Sequence, residues 1–159
     1  MELPQNLQSK PVPRWWIFCM LGLSFAGFLD AAYLTAKHYL GFEIPCSILN
    51  GCEQVLSSQY ATVFGMPVAL FGAFYYLAVL LLIVAFLDRK NAVFLKGAVL
   101  LPIGGFLATL WFVFAQIVLL DALCFYCLVS GLLTTSLFVI SVYFIYHGYF
   151  EGFRRNGNI

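Results

Sequence analysis

The chain has 159 residues, of which 63% are hydrophobic and only 9% charged, with a formal net charge of +1. One water-soluble core of this length cannot enclose so much apolar surface, and eight basic against seven acidic residues provide no basic face for nucleic acid. The composition is that of an integral membrane protein.

Crossing a bilayer takes roughly 20 apolar residues at about 1.5 Å of rise each. The polar N-terminal tail, residues 1–14 with "LPQNLQSKPVPR", reads as mobile. After it, residues 15–36 form the first predicted span, with Asp30 near its far end. A cleaved signal peptide is the rival reading, since Lys10 and Arg14 precede the apolar run; the length of the run and the lack of a small-residue cleavage site weigh against it. A long connection from Lys37 to Gly65 follows. Three further spans are predicted over 66–87, 97–120 and 122–146, none of them containing a charged residue, and a polar tail over 148–159 closes the sequence. The expected fold is all-α: one domain over 1–159, an integral membrane bundle of four transmembrane helices.

Basic residues favour the cytoplasmic side. An inside N-terminus leaves Lys10, Arg14, Arg89, Lys90, Lys96, Arg154 and Arg155 in the cytoplasm and only Lys37, of eight basic residues, outside. Both termini are then cytoplasmic, and the long connection and the Leu120 to Leu123 turn face outward.

That topology gathers four of the five cysteines on the oxidising side. Cys46 and Cys52 lie in the long connection, and Cys124 and Cys127, in "CFYC", open the last span; Cys19, near the cytoplasmic end of the first, reads as a small buried apolar residue. A structural disulfide is one reading of Cys46 and Cys52. The segment they enclose, "SILNG", is short, so closure restrains little chain entropy and exchange is the better use. Two core cysteines are the plain reading of Cys124 and Cys127. Their i, i+3 spacing, however, places both sulfurs on one helix face, at a helix start whose free amides and dipole favour a thiolate. Desolvation should weigh more on Cys127, one turn deeper.

Two dithiols in one compartment suggest a relay by thiol–disulfide exchange. The inner pair, set into the membrane, would then need a lipid-soluble acceptor such as a quinone. The segment "CEQVLSSQYATVFG" sets Val55, Leu56, Ala61, Val63 and Phe64 among polar residues, as in a short interfacial helix lying over the bundle mouth. Gly65 and Pro67 mark the turn into the second span.

The loop cysteine, the second cysteine followed by "EQVLSSQYATVFGMPVALFG", the final "CFYC" and "LDAAYLTAKHY" in the first span together resemble the vitamin K epoxide reductase family, bacterial type, over nearly the whole chain. The resemblance implies a four-helix bundle around a quinone, ubiquinone or menaquinone, and a thioredoxin-fold partner oxidised by the loop pair. It implies that Cys46 receives electrons from the partner, that Cys52 exchanges with Cys124, and that Cys127 faces the quinone. Ser58 matches a family serine that orders the loop or the quinone site. Vertebrate members carry a Tyr one turn beyond the second CxxC cysteine and an Asn on the second span; here Gly131 takes the first place and residues 66–87 contain no Asn, which puts epoxide reduction in doubt. Many bacterial relatives carry a fused thioredoxin-like domain, which this sequence lacks, so a separate partner is expected.

The remaining polar residues carry weaker expectations. Asp30 either lies near the outer interface or pairs within the bundle, with proton delivery to a quinone as a further use. Gln116 hydrogen-bonds either a quinone carbonyl or another helix. His38 and His147 fall at opposite ends of the bundle, and Trp15 and Trp16 at an interface. The expected function is a quinone-dependent thiol oxidoreductase of a bacterial inner membrane that supports disulfide formation. The alternatives are a quinone or vitamin K epoxide reductase driven by partner thiols, and a non-enzymatic transporter or membrane protein whose outer cysteines hold a soft metal.

Overall fold

The structure is a computed structural model that describes residues 12–41, 52–56, 58, 61–63 and 65–147. Cys46 and most of both polar tails lie outside the described residues. Four long helices, α1 (Arg14–Leu40), α3 (Val68–Arg89), α4 (Ala92–Phe114) and α5 (Phe125–Tyr146), form the bundle, and a short α2 (Cys52–Leu56) lies at one end. Four apolar spans result, because α4 continues through Leu119. The outward faces carry large apolar side chains such as Phe18, Leu107 and Leu132, each more than half exposed, which suits a hydrocarbon surround and not water. This is a membrane protein with an all-α, four-helix fold.

The helices differ from the expected spans at their ends. The first runs on to Leu40, where Gly41 caps it at φ 65°, because Lys37 and His38 suit the negative end of the helix dipole. The second starts at Val68 rather than residue 66, since Met66–Pro67 pairs antiparallel with Thr62–Val63 and Pro67 is the N-cap. The third starts at Ala92, well before residue 97: the Asn91 side chain accepts from the Val93 N–H at 2.9 Å, a capping signal stronger than the charge of Lys96. The fourth starts at Phe125, with Cys124 as its N-cap.

α1 packs on α3 and α5, and α4 packs on the same two helices. The half of the bundle away from α2 is solid, closed by Trp16, Met20, Ile83, Phe86, Leu95 and Phe144. Ser24, Thr35, Thr109 and Thr135 donate back to carbonyls of their own helices, as hydroxyls in hydrocarbon must. Tyr75 and Tyr76, neighbours on α3, diverge as adjacent helical residues do. Tyr76 lies against Gly27 of α1 and Tyr75 against Gly105 of α4; at both glycines a Cβ would collide with the ring. The Tyr76 hydroxyl donates to Ser130 O at 2.7 Å and lies 2.7 Å from Thr134 Oγ1, which ties α3 to α5.

Candidate functional site

The half of the bundle beside α2 is hollow. A cavity of about 510 Å³ opens there, walled by Ala31 of α1, by Gly72 and Tyr75 of α3, by Gly105 and Ala108 of α4 and by Cys127 and Gly131 of α5. Val55, Leu56 and Ser58 close its end. The hollow follows from the sequence: Gly72, Gly104, Gly105, Ala108 and Gly131 present almost no side chain at a depth where the other half has Trp, Met and Phe.

The CxxC pair stands at the rim. After Phe114 the α4 ladder widens into a π segment, Ala115–Leu119, a deviation that concentrates at functional sites. Leu120 N–H then reaches Ala115 O at 3.0 Å, and Ala122 N–H reaches Gln116 O at 3.1 Å. Asp121 turns the chain at φ 45°, a conformation that Asp tolerates better than most residues. Gln116 is 4% exposed, and its Oε1 accepts from the Cys124 N–H at 3.0 Å. One residue therefore holds the cysteine turn by both its backbone and its side chain.

Cys124 and Cys127 face different ways. Cys124 is fully enclosed and packs with Val55 and Ala122; Cys127 is half-buried and lines the cavity. Cys124 has no free surface because α2 lies over it, whereas Cys127 keeps the surface that borders the open volume. The two sulfurs still meet. As N-cap, Cys124 Sγ accepts from the Cys127 N–H at 3.5 Å, and hydrogen bonding from the Cys127 thiol is the largest of the effects that pull Cys124 down to about 7, with the amides of Tyr126 and Cys127 adding to it against burial and the charge of Asp30. Asp30 is half-buried, and its Oδ2 is enclosed without a partner among the described residues.

The other candidate residues that the structure describes fall at the same end of the bundle. Cys52 is the first residue of α2, the helix that lays Val55 on Cys124. Ser58 lines the cavity, and its Oγ donates to Val55 O at 2.7 Å, which fastens the chain leaving α2. His38 reaches the cavity wall from the end of α1. Among the described residues, no three His, Cys, Asp or Glu cluster as a metal site would need. The π segment, the hold of Gln116 on Cys124 and the two tyrosine–glycine contacts had no signature in the sequence pattern.

The model of the vitamin K epoxide reductase family matches residues 18–142, which takes in the second and third spans, most of the first and fourth, and the CxxC pair. The chain belongs to the vitamin K epoxide reductase family. A curated relative, thiol-disulfide oxidoreductase LTO1 of Arabidopsis thaliana, is 33% identical over 124 residues, 72% of this chain and 32% of that protein. The chain thus spans about a third of that relative's length. Within the family frame, the matched region runs from near the start of α1 to near the end of α5, so helices, cavity and dithiol belong to one inherited unit.

Proposed function

We propose that the protein is a quinone-dependent thiol oxidoreductase that oxidises a separate thioredoxin-fold protein outside the cytoplasm and so supports disulfide formation. The observation that carries this reading is the division between two adjacent thiols: Cys124 lies under α2 and Cys127 lies on the cavity wall. A relay needs such a pair, one sulfur toward each exchange partner. The family and the name of the plant relative support thiol chemistry.

Cys46 takes the attack of the partner's thiolate, and Cys52 leaves as the free thiolate. When the partner's second thiol has closed its own disulfide, Cys46 and Cys52 are reduced. Cys52 then attacks the disulfide at Cys124, and closure by Cys46 leaves Cys124 and Cys127 as thiols. A quinone in the cavity supplies the acceptor, taking two electrons and two protons. The residues present fit such a group: the walls are mostly apolar, the volume falls in the range of small-molecule sites, and Cys127, Ser58 and Gln116 bring polar atoms to the same rim. The low pKa of Cys124 makes its sulfur a good leaving thiolate and a ready nucleophile. Ser58 orders the end of α2 above the cavity.

The whole chain, 1–159, serves as one such domain in a bacterial inner membrane, with both termini cytoplasmic and the loop cysteines outside; the basic residues support that orientation. Trapping tests the order of transfer. A thioredoxin-fold partner reduced to a single reactive thiol should accumulate a mixed disulfide at Cys46, mapped by mass spectrometry, and lose it in Cys46→Ala. Adducts formed at Cys124 or Cys127 in the intact protein would contradict the order.

A further inference from the structure

We infer that Gln116 is a ligand-binding residue: its amide donates a hydrogen bond to a carbonyl oxygen of the quinone while its other end holds Cys124, so that head-group binding and cysteine geometry are joined through one side chain. The inference rests on the quinone reading above.

A carboxamide has one accepting end and one donating end. At Gln116 the orientation is set by the protein, because the Cys124 N–H can only donate and lies 3.0 Å from Oε1. The NH₂ group is therefore turned away from the cysteine turn. No described residue accepts from it, and it is absent from the enclosed unpaired polar atoms, which are Trp16 Nε1, Asp30 Oδ2, Tyr75 Oη and Ser141 Oγ. The little surface that Gln116 keeps is thus available to its amino group, and Gln116 lines the cavity. A pure donor on an apolar wall selects an acceptor, and a quinone presents carbonyl oxygens at its ring.

The placement also matches the chemistry. Gln116 bonds to Cys124, Cys124 bonds to Cys127, and Gln116 and Cys127 line the same cavity. A ring held by Gln116 through one carbonyl is held beside the sulfur that must reduce it. The π segment contributes by widening the turn that carries Gln116, so that its backbone carbonyl is free to accept from Ala122.

Two substitutions separate binding from structure. Gln116→Glu, measured at a pH high enough to ionise the carboxyl, keeps an acceptor for the Cys124 N–H and loses the amide donor; Gln116→Met keeps the length and loses both ends. The measurements are the dissociation constant of a soluble ubiquinone analogue for the oxidised protein without reductant, read by tryptophan quenching, and the carbonyl stretch of the bound, isotope-labelled quinone. Wild type should show one carbonyl band shifted to lower wavenumber than in the free quinone. Both variants should bind roughly tenfold more weakly, as loss of about 1.4 kcal/mol implies, and Gln116→Met should lose the shifted band. Wild-type affinity in Gln116→Glu, or an unshifted carbonyl in wild type, would overturn the inference and leave Gln116 a structural residue. Failure of wild type to bind any quinone would instead overturn the cavity reading on which the inference depends.

Discussion

Cys124 and Tyr76 show how single side chains set the behaviour of the site. The Cys124 thiol is held at about 7 chiefly by its hydrogen bond with Cys127. A lowered thiol pKa means that the thiolate persists at neutral pH and is lost as pH falls through about 7. Alkylation of Cys124 in the reduced protein, followed by peptide mass spectrometry, should therefore rise with pH through a midpoint near 7, and Cys127→Ala should move the midpoint upward by removing the largest cause. An unchanged midpoint in that variant would show that the helix amides suffice. Tyr76 spans the bundle with its hydroxyl. Its replacement by Phe keeps the ring against Gly27 and leaves Ser130 and Thr134 without that partner, so detergent-solubilised protein should lose about 1–3 kcal/mol of stability, read from thermal or denaturant unfolding. The candidate cysteines stood out in the sequence because a CxxC at a predicted helix start, with a second pair assigned to the same compartment, is a specific pattern. The direction each sulfur faces was not, since it depends on α2 folding over Cys124.

Among the helices, packing follows the small residues. The ring of Tyr76 occupies the space where Gly27 lacks a side chain, and a Cβ there would overlap the ring. Gly27→Val should therefore separate α1 from α3 at a cost of about 1–3 kcal/mol. Gly22, where an added methyl group would meet nothing within 4 Å, provides the control: Gly22→Ala should be neutral or stabilise by up to about 1 kcal/mol through helix propensity. Equal losses at both positions would argue against glycine-mediated contact. The four spans were readable from hydrophobicity, which marks where a helix is buried in lipid. Their ends were not, because caps such as Asn91 and Pro67 act through local hydrogen bonding and backbone conformation, to which an apolar window is blind. The π segment at Ala115–Leu119 arises where the chain must both leave α4 and position Cys124, a tertiary demand with no periodicity of its own.

The described part of the molecule is a bundle solid at one end and hollow at the other, with the CxxC pair at the rim of the hollow. Large side chains fill the half that holds the helices together, and several glycines and alanines among the lining residues make room in the other. That asymmetry suits the proposed function, since a cavity bordered by a thiol within an apolar surround has room for a lipid-soluble acceptor beside that sulfur. Residue types along the chain revealed the class and the family, whereas the division into solid and hollow halves emerged only when the helices were placed side by side. Electron flow from a partner dithiol through Cys127 to a quinone is the step on which the proposed function stands. It is tested most directly by following quinone absorbance when purified protein meets a reduced thioredoxin-fold partner and a soluble ubiquinone analogue, beside a Cys127→Ala control. Steady loss of quinone is expected with the intact protein and none with the variant. Undiminished loss in Cys127→Ala, or none in folded wild type with several quinones, would contradict it.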